Sequence, residues 1–143
     1  MYKDILFPID VTEESSWKYT LPVVIAHAEA FGARVHLMTV IPDSGMSLVS
    51  QYFSDDAVDR IVQETNKALH RFSEENLPKS VKVQHIVTQG IVYKSIIETS
   101  QRIKADVIIM SAHRPELKDY LLGPNAARVV RHSDCSVLVV RHQ

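Results

Sequence analysis

Two short apolar runs in the last third of the chain, Val107–Met110 and Val137–Val140, are separated by a polar loop and a segment with helical spacing. Neither run alternates with polar residues, so each reads as a strand covered on both faces, as in a parallel sheet. Parallel neighbours need a crossover, normally a helix, and the segment from about Pro124 to His132 supplies one. The loop between runs through Tyr120-Leu121-Leu122 to Gly123, directly ahead of that helix. A buried strand, a loop and a helix start in that order form the arrangement that binds phosphates in open α/β sheets. Free backbone N–H groups and the positive end of the helix dipole face whatever occupies the loop.

The rest of the chain repeats the alternation. Ile5-Leu6-Phe7-Pro8-Ile9 reads as a buried strand whose ladder ends at Pro8, which has no N–H. Trp17, Leu21, Val24, Ile25, Ala28 and Phe31 follow at helical spacing, with Thr12 or Ser15 as the expected cap, and Gly32 as the stop. Pro22 inside that pattern predicts a kink or a shifted start. Val35, Leu37, Val40 and Ile41 form a second strand closed by Pro42, and residues 43–54 read as a loop. A helix with Val58, Ile61, Val62, Thr65, Leu69 and Phe72 inward stops at Leu77-Pro78. Val81, Val83, His85 and Val87 alternate with polar residues, which suits a half-exposed edge strand. Gly90 turns the chain into a helix with Val92, Ile96, Ile97 and Ile103 inward, and Asp106 precedes the Val107 run. The result is β-α-β-α-β-α-β-α-β, an open doubly wound α/β sheet, expected as one domain over residues 1–143. Trp17, Leu21, Ile25 and Val107–Ile109 are expected to be largely buried.

A hydrophobic content of 45% supports a real core and excludes a disordered chain. With a net charge of −1 and interspersed basic residues, there is no electrostatic case for nucleic acid. The apolar runs are too short to span a bilayer, and the opening Met1-Tyr2-Lys3-Asp4-Ile5 has no signal-peptide pattern, so a cytoplasmic protein is expected. Cys135 alone provides neither a disulfide framework nor a metal cluster, and no HxxxH or HxH pair points to a metal.

In such sheets ligands bind beyond the carboxyl ends of the strands, where strand order reverses. Asp10 stands at the tip of the first strand. Its carboxylate could meet a nucleoside or a metal, or it could serve as a cap or turn residue. His113 and Arg114 follow the fourth strand. They could meet phosphate oxygens or form a solvated loop pair, stiffened by Pro115. Gly123, Pro124 and Asn125 open the last helix. The glycine permits positive φ and close backbone approach, the proline suits the first helical position, and the asparagine amide could donate to a phosphate. A plain loop-to-helix turn fits those three residues equally well.

Several stretches resemble the universal stress protein family, especially its SHRP/YLLG-type subgroup. They are Ala112-His113-Arg114-Pro115, Tyr120-Leu121-Leu122-Gly123, Asn125-Ala126-Ala127, Val129-Val130-Arg131-His132 and Cys135-Ser136-Val137-Leu138-Val139-Val140-Arg141. Ile5-Leu6-Phe7-Pro8-Ile9-Asp10 extends the likeness to the first strand. The resemblance implies a five-stranded parallel sheet of order 3-2-1-4-5 and a homodimer, or a dimer of dimers, through Ser136–Arg141. It implies ATP or AMP, with or without magnesium, between the tips of strands one and four. Pro8, Ile9, Asp10 and Val40 would border the adenosine, and Met110 would line its apolar side. Ser111, His113, Arg114, Gly123, Pro124, Asn125 and Ala126 would lie at the phosphates. ATP-binding members carry G-x2-G-x9-G followed by Ser or Thr. Here Ser111 and Arg114 replace the first two glycines, eight residues separate Arg114 from Gly123, and Pro124 replaces the hydroxyl residue. The first three departures are shared by the SHRP-type subgroup. Pro124 removes a hydroxyl and an N–H, which bears on phosphate more than on adenosine.

Three function classes follow: a stress-response module that binds an adenine nucleotide, a nucleotide-independent dimer acting through protein contacts, and a slow ATPase or phosphoryl-transfer enzyme. Transfer chemistry needs a positioned cation, a metal-holding carboxylate and a group to orient the nucleophile. Asp10, His113 and Arg114 are a thin set for that, and no GxxxxGK[ST] motif is present. The sequence therefore names no catalytic residue and ranks binding first.

Overall fold

The computed structural model describes residues 1–43, 55–112 and 123–141. Strands β1 (Asp4–Pro8), β2 (Arg34–Pro42), β3 (Val83–Gly90), β4 (Val107–Ser111) and β5 (Ser136–Val140) form one parallel sheet in the order β3-β2-β1-β4-β5. Helices α1 (Leu21–Phe31), α2 (Asp55–Asn76), α3 (Val92–Arg102) and α4 (Pro124–His132) connect the strands. The expected fold class and strand order are found. The loop expected over residues 43–54 falls, apart from residue 43, outside the described residues.

Strand alternation divides the core into two layers. Ile5, Phe7, Val35, Leu37, Val107 and Ile109 meet Val24 and Ala28 of α1 and Leu69 and Phe72 of α2. Leu6, Met38, Ile86, Ile108 and Met110 meet Ile96 of α3 and Ala126 and Val129 of α4. β1, β2 and β4 are apolar in both registers because both faces are covered. β3, at the edge, keeps the expected alternation only in part: Val83, His85 and Val87 are half-buried, and Ile86, in the opposite register, is the buried residue of the strand because it meets the second core layer.

Helix α1 departs from expectation. It starts at Leu21, so Pro22 sits in the first turn, where its missing N–H removes no intrahelical bond, and the shifted-start alternative holds. Trp17 lies before the helix, and the buried positions are Thr20, Val24 and Ala28. Trp17, Leu21 and Ile25 are only half-buried, since the stripe is rotated by one residue. Neither Thr12 nor Ser15 caps α1; Thr20 occupies the N-cap without a side-chain bond. Gly32 ends the helix at φ 62, and the amide of Ala33 donates back to Ala28 O at 2.9 Å.

At the amino ends of the strands, Asp106 Oδ2 accepts the amides of Lys3 and Asp4, both at 2.8 Å. These bonds, that to Asp4 foremost, hold the Asp106 carboxyl below the ordinary carboxylate range. His36, buried in β2, is held between Asp4 Oδ1 at 2.8 Å and Gln84 Oε1. This end of the sheet is therefore tied by polar contacts, and the carboxyl end is the open one.

Candidate functional site

The opening at the carboxyl end follows from one residue. The amide of Ile9 donates to Met38 O at 2.8 Å, so the β1–β2 ladder continues past Pro8. Alternation points the Pro8 nitrogen to the β4 side, where it has no hydrogen to give. Pairing of β1 with β4 covers only Ile5–Val107 and Leu6–Ile108. The expected end of the ladder at Pro8 is thus real on the β4 side alone. β1 and β4 part beyond it, at the point where the crossovers change direction.

A crevice of about 750 Å³ occupies this place. Pro8, Ile9, Asp10, Val40, Met110, Ser111, Gly123, Asn125 and Ala126 all line it, although they come from four separate segments of the chain. Pro124 is exposed at the first position of α4 and does not line it. His113 and Arg114 lie outside the described residues.

The loop after β1 is built around two side chains. Asp10 Oδ1 accepts the Thr12 amide at 3.0 Å and the Thr12 hydroxyl at 2.7 Å, an Asx turn. The turn role considered for Asp10 is therefore real; a ligand role requires the remaining lone pairs of this exposed carboxylate. Ser16 Oγ accepts the Asp10 amide at 2.9 Å and donates to Glu13 O at 2.7 Å, closing the loop at a 3-10 turn over Glu14–Ser16. The Ser111 hydroxyl donates to Ser15 O at 3.1 Å, which ties the tip of β4 to this loop.

The far side of the crevice is the start of α4. Gly123 is its N-cap, at φ −58 and ψ 156, so the positive φ that glycine permits is not used there. Its amide donates to Ala112 O at 3.2 Å. The first turn of a helix leaves its leading amides without intrahelical acceptors. Pro124 has none to offer, so Asn125 and Ala126 carry the leading amides of this turn, which meet no acceptor among the described residues. Asn125 is half-buried and Ala126 buried in the crevice wall.

Sequence reasoning missed the wall supplied by α2. Ile61, Glu64, Thr65 and Ala68 line the crevice, as do Thr39, Ile41 and Pro42 of β2. The signal was present: Ile61 and Thr65 belong to the inward stripe of α2, yet only its later members Leu69 and Phe72 are buried. The stretch of α2 from Ile61 to Ala68 faces the crevice instead. His85, away from the crevice, has its pKa lowered by burial and by neighbouring His70, with which it stacks at 3.6 Å between ring centres. Its Nε2 lies 2.7 Å from Ser73 Oγ of α2.

The family model for universal stress proteins matches residues 1–141. The chain belongs to the universal stress protein family. It is 31% identical to universal stress protein G of Escherichia coli O157:H7 over 153 aligned positions, covering 99% of this chain and 100% of that protein. It is 26% identical to universal stress protein MJ0577 of Methanocaldococcus jannaschii, covering 100% and 97% of the two chains. The solved structure of MJ0577 superposes with a TM-score of 0.76 over 100% of this chain and 98% of that one, at 27% identity. A universal stress protein solved in complex with cAMP has the same fold, with a TM-score of 0.62, 20% identity and 99% and 98% coverage. The fold and the family are settled by these likenesses, and the crevice is where this universal stress protein opens its sheet.

Proposed function

We propose that this universal stress protein, of the SHRP/YLLG-type branch, is a stress-response regulator that binds ATP or AMP in the crevice beyond β1 and β4. The parting of β1 from β4 beside the first turn of α4 carries the reading. Its volume falls within the range of small-molecule sites, about 300–1,000 Å³. The donor set is graded as a nucleotide requires. The amides of Asn125 and Ala126 and the positive end of the α4 dipole suit phosphate oxygens. Pro8, Ile9, Val40 and Met110 offer apolar surface to a base, and Asp10 offers acceptors to ribose hydroxyls. His113 and Arg114 are assigned to the phosphates on the family resemblance. That a protein of this fold holds cAMP supports an adenine ligand. Titration calorimetry with ATP, with and without magnesium, and with AMP tests the reading. Heat of binding that saturates below millimolar concentration supports it, and its absence at millimolar ATP with magnesium overturns it. Release of phosphate during the same incubation would move the protein to the slow-ATPase class.

We further infer a homodimer through Ser136–Arg141. Among the described residues β5 is the edge strand, paired with β4 alone, and Val137, Leu138, Val139 and Val140 are half-buried in one chain. An apolar edge of this kind is normally covered by a cognate partner. Sedimentation at micromolar concentration should give a dimer, and a monomer alone would contradict the inference.

A further inference from the structure

The α2 wall of the crevice has no part in the reading above, and its chemistry is one-sided. Ile61, Glu64, Thr65 and Ala68 follow the i, i+3, i+4, i+7 spacing of a single helix face turned to the crevice. Ile61 and Ala68 make that face apolar. The polar groups between them can only accept. Thr65 Oγ1 donates its hydrogen to Ile61 O at 2.7 Å, so lone pairs are all that its oxygen has left. The Glu64 carboxylate accepts and does not donate when ionised. Two more carboxylates, Asp10 and Glu13, also line the crevice. Phosphates are repelled by these carboxylates and drawn to the free amides at the start of α4. The uncharged base is then the part of a nucleotide that meets α2. An apolar wall carrying acceptors favours a flat ring whose edge presents N–H hydrogens.

We propose that Glu64, assisted by Thr65, is a specificity-determining residue that selects bases with an exocyclic amino group, adenine over hypoxanthine. The proposal rests on the nucleotide reading of the crevice. At the C6 position an amino group donates to the carboxylate, whereas hypoxanthine sets a keto oxygen there as a second acceptor and keeps only its ring N1–H beside it. Glu64 is 65% exposed and lies 3.5 Å from Lys67, so solvent and a neighbouring cation moderate the contrast. The expected preference is roughly tenfold for ATP over ITP.

The test is calorimetric titration of ATP and ITP, identical in their phosphates, into the wild-type chain, Glu64→Gln and Thr65→Val. Glu64→Gln can donate to a keto oxygen, so it should bring the two affinities to within about twofold by tightening ITP as it weakens ATP. Thr65→Val keeps the shape of the side chain and should reduce the ATP preference by a smaller factor. A wild type that binds both nucleotides equally, or a Glu64→Gln variant that keeps the wild-type ratio, overturns the selectivity and leaves the nucleotide reading standing. A wild type that binds neither overturns both. Thermal unfolding of each variant within a few degrees of wild type confirms that the ratio is read on folded protein.

Discussion

Asp10 is the residue where a structural role and a binding role can be separated by experiment. Its Oδ1 accepts two bonds from Thr12, at 3.0 and 2.7 Å, on an exposed loop. Each such bond is worth about 0.5–1.5 kcal/mol, with exposure favouring the low end, so Asp10→Ala should cost about 1–2 kcal/mol of stability. Asp10→Asn keeps the amide oxygen as an acceptor for Thr12 and should cost less than about 0.5 kcal/mol, the usual range of a surface change. The binding role behaves differently. A carboxylate bonded to a ribose hydroxyl is charge-assisted, worth roughly 1.5–3 kcal/mol, or about ten- to a hundred-fold in affinity. Asn should lose part of that charge-assisted gain, and Ala all of it. Because the contact is to the nucleoside, ATP and AMP should weaken by the same factor. Thermal unfolding gives the first ordering and calorimetry with both nucleotides the second. If Asp10→Asn binds both nucleotides like wild type while Asp10→Ala loses both affinity and stability, Asp10 shapes the turn and does not touch the ligand. If ATP alone weakens, its carboxylate acts at the phosphates or through a metal.

Three further outcomes are expected. Gly90 has φ 140, and an added Cβ would stand 3.2 Å from Ser95 Oγ, so Gly90→Ala should destabilise by about 1–3 kcal/mol in chemical denaturation. Asp106→Ala removes the acceptor of two backbone amides and should cost about 1–3 kcal/mol at neutral pH. Because the folded carboxyl titrates below its ordinary value, that contribution is complete above the unfolded pKa and is lost as pH falls through the folded one; the gap from wild type should narrow in acid and persist at pH 7. Pro124→Ser restores the backbone N–H at the first position of α4, whose side chain is exposed outside the crevice, and should tighten ATP roughly tenfold while leaving adenosine unchanged. Equal gains for the two ligands would show that the proline does not govern phosphate binding.

What could be read in advance was local. Val107–Met110 and Pro124–His132 are called within a residue of their observed bounds because an apolar run and a Pro start are short-range signals. Gly32 and Gly90 were visible as turning points for the same reason. The failures lie where distant segments decide. The buried stripe of α1 is set by where the helix docks, and Pro22 moves its start, so Trp17 falls outside. The opening at Pro8 depends on which neighbour its nitrogen faces, and that is fixed only once β2 and β4 flank β1. The α2 wall emerges only when Ile61, Glu64, Thr65 and Ala68 are brought beside strand tips distant in sequence. The Asp106 clip joins residues more than a hundred positions apart, and nothing local marks it.

Amide chemical-shift mapping with AMP is the most direct test of the central claim, because it locates the ligand as well as detecting it. Titration should move the amides of Ile9, Asp10, Val40, Ser111, Asn125 and Ala126 together and with one saturation curve, and leave those around His70 and His85 unmoved. Shifts confined to β5 or to the α2–β3 contact, or no shift at millimolar AMP, would contradict the assignment of the crevice as a nucleotide site.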